Sequence, residues 1–83
     1  MIHTIFDDVV FELIKARKKF PGTEDLLHAF TEEAGEVTKG FLHLKHEKGS
    51  PKEVYGELIQ TIAMAVRLIE EGDPNFPKVE RES

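Results

Sequence analysis

The sequence contains no cysteine and no tryptophan, and it has no apolar run near the length that a membrane span requires. Without cysteine, disulfide-stapled modules, thiol nucleophiles and cysteine-ligated zinc or iron–sulfur centres are excluded. The N-terminal segment carries acids where a signal peptide would carry basic residues. These features predict a cytoplasmic protein with no membrane partner.

Basic residues are too few for a protein that binds the phosphate backbone of nucleic acids. The chain has 11 lysines and arginines against 16 aspartates and glutamates, a formal net charge of -5. Nucleic-acid polymers are therefore not expected as partners. The excess acids either form a solvated surface or hold a cation.

The chain is short, with 83 residues of which 40% are hydrophobic. It has room for one core only. At about 25 cal/mol per Å² of buried apolar area, a core of this size barely offsets the conformational entropy lost on folding. We therefore expect self-association into a homodimer or homotetramer.

Proline and glycine break the chain at three places, and the segments between the breaks have the apolar periodicity of amphipathic helices. No segment alternates as a strand does. The predicted class is all-α, with one helical domain over residues 1–72 and an extended or frayed tail over 73–83. Three helices make part of a bundle, and a second chain would complete a four-helix bundle.

The ends of the helices are predicted from their capping residues. The first helix is expected over about 3–19, with cations in its last turn. The second should start at Thr23 as N-cap and end near residues 46–48, with Gly49 just beyond its last turn. The third should open with Ser50 as N-cap, followed by proline, and end at Gly72.

Two of these helices carry carboxylates on or beside their apolar faces. On the second helix Glu33 falls inside the apolar stripe, Glu36 lies at its border and Glu32 one step further round. On the third helix Glu57 borders the stripe, and Gln60 follows one turn later. Antiparallel packing of the two helices would bring these oxygens together, as Mg²⁺ or Mn²⁺ requires.

The same pattern has a plainer explanation. Acids on helices are commonly part of a solvated surface. A glutamate on a buried face is costly unless it is paired, and a salt bridge to a lysine such as Lys39 or Lys45 would pair Glu33 without a metal. The residues alone leave these possibilities open.

The order and spacing of the acids resemble the all-α nucleotide pyrophosphohydrolases of the MazG-like family. That family carries E-E-x-x-E on one helix and E-x-x-D on the next, which residues 32–36 match in full and residues 57–60 in part. The resemblance extends over about residues 10–72. It implies homo-oligomers with helices combined into four-helix bundles, which hydrolyse nucleoside triphosphates to the monophosphate and pyrophosphate with Mg²⁺.

The resemblance also implies roles for individual residues. Glu33, Glu36, Glu57 and Gln60 would be the metal ligands for Mg²⁺, or alternatively Mn²⁺. Glu32 and Glu33 would be the catalytic carboxylates that assist the metal or the attacking water. Gln60 stands where the family has aspartate, so a ligating oxygen remains but one negative charge is lost. A module that binds nucleotide or metal without turnover, and a purely structural helical oligomer, are therefore the alternatives.

Three further residues are candidates for substrate binding. His28 precedes the acidic motif and is a candidate for contact with the base or ribose, and Lys39 for contact with phosphates. Glu53, which with Ser50 matches the pattern of a capping box, lies one turn before Glu57 and is a candidate to replace the missing charge. The cations at 15–19 are another candidate for phosphate contact, although they equally complement the helix dipole.

Overall fold

The computed structural model describes residues 2–22 and 24–74. These residues form three helices, α1 (Ile2–Lys19), α2 (Leu26–Lys45) and α3 (Pro51–Glu71). No β-strand occurs in this part of the chain, which confirms the all-α class. No helix within the described ranges combines the length and apolar character needed to cross a membrane. Of the predicted tail, residues 75–83 lie outside the description.

The third helix is the centre of the fold. α2 and α1 each pack against α3, whereas over the described residues α1 and α2 do not pack against each other. Val9 and Leu13 of α1 meet Ile59 and Ala63 of α3 in the main core cluster. The space left between α1 and α2 is the origin of the cleft described below.

The directions of the helices follow from side-chain contacts near their ends. Arg17, in the last turn of α1, pairs with Glu70 and Glu71 in the last turn of α3, so α1 and α3 run parallel. Gly40, late in α2, lies beside Val54, early in α3, so these two helices are antiparallel.

The start of α2 differs from the prediction. Thr23, the expected N-cap, lies outside the described residues, and α2 begins at Leu26 with Asp25 in the N-cap position. The Asp25 side chain makes no capping hydrogen bond within the described chain. Instead, the Leu27 amide donates to Asp73 Oδ2 at 3.1 Å. Asp73 is only 9% exposed, so the residue at which the tail was predicted to begin is held against α2.

The turn between α2 and α3 also differs from the prediction in one detail. α2 ends at Lys45, and the left-handed backbone conformation in the turn belongs to Glu47 (φ 61°). Gly49 is required for space, because a Cβ there would lie 2.6 Å from Glu53 Oε2 and 2.8 Å from His43 Cβ.

The predicted cap of α3 is confirmed. The Glu53 amide donates to Ser50 Oγ at 3.2 Å, and Pro51 occupies the first helical turn. The Glu53 carboxylate does not complete the capping box. It contacts His43 Nδ1 at 3.1 Å and so ties the end of α2 to the start of α3. At the other end, Gly72 ends α3 as predicted, with φ 76°.

Candidate functional site

A cleft with a volume of about 820 Å³ is lined by residues of all three helices and of the α1–α2 connection. It exists because α1 and α2 pack against different sides of α3. Six of its polar lining residues bear on the function: Glu12, Lys15 and Lys19 of α1, Glu32 and Glu33 of α2, and Gln60 of α3.

The acids predicted from the sequence fall into two groups. Glu32, Glu33 and Gln60 line the cleft, whereas Glu36 and Glu57 are not among its lining residues. Both of the latter nevertheless lie close enough for their charges to act on Glu33. Glu33 is therefore the residue on which the predicted site centres.

Glu33 occupies an unfavourable environment for a carboxylate. Burial raises its pKa above the ordinary value, and the negative charges of Glu57, Glu36, Glu12 and Glu32, in that order, raise it further. Its Oε2 atom is buried and has no hydrogen-bond partner in the described structure. A buried acceptor without a partner costs free energy, so this oxygen is a natural position for a cation.

The lysine pairing considered from the sequence is not formed. Neither Lys39 nor Lys45 makes an ion pair with Glu33 in the described part of the chain. Lys15, on the cleft wall, pairs with another acid, since its Nζ lies 3.3 Å from Glu12 Oε2. Glu33 is thus left with like charges around it.

The carboxylates around Glu33 fit a divalent cation in donor type and in charge, since Mg²⁺ and Mn²⁺ prefer oxygen ligands. The oxygen of Glu33 that lacks a partner supports the same conclusion. Their ligand geometry is not preformed, because no three histidine or acidic side chains within 2–22 and 24–74 converge closely enough to hold a metal ion. Binding would require side-chain adjustment around Glu33.

The three substrate-binding candidates lie away from the centre of the cleft. His28 lines a smaller pocket of about 270 Å³. Its Nε2 atom lies 2.7 Å from Glu32 Oε1, so it meets the cleft only through that exposed pair. Glu53 is engaged with His43. Lys39 lines neither of these two pockets in the described structure.

Sequence reasoning missed Glu12 as a member of the site. Glu12 lies between the buried α1 residues Val9 and Leu13 in sequence, and its side chain is only 20% exposed. The sequence does indicate that Glu12 is partly covered, because a helical wheel places it beside the apolar stripe that Val9 and Leu13 define. A helical wheel does not show which other helix this side of α1 faces.

Arg67 is the second residue that the sequence did not single out. It is 1% exposed and lines the cleft where the α1–α2 connection crosses α3. Its guanidinium donates to the Phe20 carbonyl at 3.0 Å, to the Gly22 carbonyl at 3.3 Å and to both carboxylate oxygens of Glu71 at 3.0 Å. These bonds engage all three guanidinium nitrogens, so Arg67 holds the connection in place. The sequence feature that could have identified Arg67 is a charged residue within an apolar helical pattern.

Comparison of the chain with protein-family models, curated proteins and solved structures finds no match. The resemblance to the MazG-like family therefore rests on residues 32–36 and 57–60 and remains a prediction. The function proposed below depends on the residues of the cleft together with that motif.

Proposed function

We propose that the protein is a Mg²⁺-dependent nucleotide pyrophosphohydrolase that cleaves a nucleoside or deoxynucleoside triphosphate to its monophosphate and pyrophosphate. The observation that carries this proposal is Glu33, a partly buried carboxylate with an oxygen that lacks a partner and with like charges around it. Such an arrangement is costly to a protein unless a cation balances it. Mn²⁺ is the alternative metal.

The proposed ligands are Glu33 and its neighbours Glu36, Glu57 and Gln60. When bound, the cation supplies positive charge that neutralises the phosphate oxygens and the leaving pyrophosphate. The chain's own contribution is to hold these oxygens on two antiparallel helices, whose rigid backbones limit how far the ligands can spread.

In this proposal the carboxylates of Glu32 and Glu33 assist the attacking water. Water attacks the α-phosphorus, the bond from that phosphorus to the bridging oxygen of pyrophosphate breaks, and a proton of the water passes to a carboxylate. Glu33 would orient the water at the cation, and Glu32, which is not a proposed metal ligand, would accept the proton. Glu32 is exposed and pairs with His28, which orients its carboxylate at the edge of the cleft.

The size and lysines of the cleft agree with a nucleotide substrate. A volume of about 820 Å³ lies in the upper part of the range of about 300–1,000 Å³ that is usual for small-molecule sites. Lys15 and Lys19 line the same cleft and offer positive charge to a triphosphate. The sequence offered both Lys39 and the cations at 15–19 for phosphate contact, and Lys15 and Lys19 are the ones that line the cleft.

We further propose that the protein acts as a homodimer or homotetramer in which helices of neighbouring chains complete four-helix bundles. Phe6, Val10 and Ile14 recur at four-residue intervals on α1 and are 58%, 54% and 60% exposed. Ile62 and Ile69 on α3 are 41% and 55% exposed. Apolar stripes of this kind are typical of surfaces that another helix covers.

The test is incubation with a panel of nucleoside and deoxynucleoside triphosphates plus Mg²⁺ or Mn²⁺, with pyrophosphate release as the measurement. Glu33→Gln should lower kcat/KM by at least about a hundredfold, as expected when a catalytic carboxylate is lost. Asp7→Asn is the matched control, because Asp7 is exposed on α1 and is not among the cleft's lining residues. Absence of product from every member of the panel would reject the enzyme.

Gln60 favours a second function, a module that binds nucleotide and metal without turnover. Gln60 lines the cleft at the position where the motif calls for a negative charge. A protein of this kind would bind Mn²⁺ and a non-hydrolysable triphosphate analogue while releasing no pyrophosphate. Pyrophosphate release by the unmodified protein excludes this second function.

A further inference from the structure

Helix α1 brings to the cleft a carboxylate that lies outside the two-helix acidic motif. Glu12 lines the same cleft as Glu33 and Gln60, and its charge acts on the Glu33 carboxyl. Its side chain is 20% exposed, so it is held near the cleft wall and not extended into solvent.

The present partner of Glu12 is weakly held. Lys15 Nζ lies 3.3 Å from Glu12 Oε2, and the lysine side chain is 57% exposed. Ion pairs that are open to solvent contribute little to stability, because water and salt screen them. A divalent cation would displace the lysine with little loss of stability, and Glu12 is therefore available as a ligand.

The charge that Glu12 supplies is the charge that the motif lacks. Three of the proposed ligands, Glu33, Glu36 and Glu57, are carboxylates, and the fourth is the neutral Gln60. One oxygen of Glu33 has no hydrogen-bond partner in the described structure, and this oxygen marks the position proposed for the cation. Glu12 lines the same cleft from α1, and its charge acts on Glu33.

We propose that Glu12 is a further residue of the divalent-cation site and supplies from α1 the negative charge that Gln60 does not supply from α3. The proposal rests on the proposed function, since it concerns the same cation. Its consequence is that the complete site needs all three helices, although the acidic motif occupies only two.

The experiment measures Mn²⁺ binding by electron paramagnetic resonance, with Mn²⁺ alone as the probe and without turnover. Glu12→Gln is expected to raise the Kd for Mn²⁺ by about tenfold or more, the scale seen when a supporting group of a metal site is removed. Asp7→Asn removes the same charge from the same helix outside the cleft, and its Kd should equal that of the unmodified protein. Circular dichroism confirms that each variant is folded.

Moving the negative charge from residue 12 to residue 60 distinguishes a role of Glu12 at the metal site from a general effect of the substitution on the protein. In the Glu12→Gln background, Gln60→Asp should recover most of the lost Mn²⁺ affinity, because the negative charge returns to the cleft from α3. Glu12→Asp keeps the charge on a shorter side chain and should bind Mn²⁺ with an affinity between those of the unmodified protein and Glu12→Gln. It is also the variant to use if the glutamine variant does not fold.

The outcomes distinguish this inference from the proposed function. If the unmodified protein binds Mn²⁺ and Glu12→Gln binds it equally well, the role of Glu12 is rejected and the proposed metal site stands. If the unmodified protein does not bind Mn²⁺ at millimolar concentration, the metal-dependent function itself is rejected. Recovery of affinity by Gln60→Asp in the glutamine background supports both.

Discussion

At the scale of single residues, Glu33 is the feature that distinguishes this chain from an ordinary helical domain. Burial and four neighbouring carboxylates oppose its ionisation, and its Oε2 atom lacks a partner among the described residues. A residue that destabilises the free protein is best explained by what it does when a ligand is present.

This explanation predicts opposite effects of one substitution on stability. Glu33→Gln should stabilise the metal-free protein by about 1 kcal/mol, because a buried charge is replaced by a neutral side chain of similar shape. The same variant should lose the rise in Tm that Mg²⁺ gives the unmodified protein. Thermal unfolding with and without Mg²⁺ measures both effects. A variant that is destabilised without metal and keeps its full Mg²⁺ response contradicts the interpretation.

Glu71 is the converse case, a carboxylate that the fold stabilises. Hydrogen bonds from Arg67 lower its pKa below the ordinary value of 4.5, against a smaller opposing effect of burial, and Arg17 lowers it further. Because the unfolded chain then binds more protons than the folded chain, stability is present above pH 4.5 and is lost as the pH falls through the lowered pKa.

We therefore expect Glu71→Gln to destabilise the protein near neutral pH and to become progressively closer to the unmodified protein as the solution is acidified. Urea unfolding from neutral pH to below pH 4 gives the two stability curves. Glu70→Gln is the matched control, because Glu70 pairs only with Arg17 at the exposed surface of the described structure and should have a small effect. A constant difference between Glu71→Gln and the unmodified protein at every pH would contradict the assignment.

At the scale of helices, local capping accounts for some ends, and contacts from elsewhere in the chain account for the others. Ser50 caps α3 through its own side chain, as the sequence predicts. At the start of α2, the Leu27 amide instead donates a hydrogen bond to the carboxylate of Asp73, which follows α3. The acceptor comes from the end of another helix, so no window of sequence around α2 contains it.

The turn after α2 provides a test at this scale. Glu47 has φ 61°, a conformation that costs a non-glycine residue free energy because of its Cβ. Glu47→Gly should stabilise the protein by about 0.5–1 kcal/mol, and the Tm should rise by several degrees. Lys48→Gly should give no such gain, because Glu47 is the only non-glycine with positive φ in the described ranges. Equal effects of the two substitutions would contradict this account.

At the scale of the whole molecule, one arrangement produces both the cleft and the exposed apolar surface. α1 and α2 pack on α3 and, within the described residues, not on each other. The gap between them is the cleft, and the outer side of α1 keeps large apolar residues in contact with solvent. Association with a second chain would cover that side without closing the cleft.

The proposed oligomer predicts that Phe6→Glu lowers the assembly to a monomer, because a charge in the apolar stripe of α1 would be buried on association. Light scattering coupled to size-exclusion chromatography gives the mass. Phe41→Glu is the matched control, since Phe41 is 52% exposed on α2 and lies outside the α1 stripe. A wild-type protein that is monomeric at high concentration, or equal dissociation by both substitutions, contradicts the proposed surface.

The sequence by itself determined which segments are helical and which side of each helix carries the apolar residues. Periodicity and capping are local properties, so the three helices, the Ser50 cap and the glycine at the end of α3 were predicted correctly, and Glu33 was correctly placed within the apolar stripe of α2. The metal and the reaction remain proposals.

Only the tertiary structure decided which side chains share a cleft. Glu12 and Gln60 lie 48 positions apart in the chain and line the same cleft because α1 and α3 pack in parallel. Arg67 bonds to backbone carbonyls of the α1–α2 connection, and Glu53 turns to His43 and away from its own helix. Helix periodicity reports the direction of a side chain around its own axis, and the neighbour in that direction is set by how the helices pack.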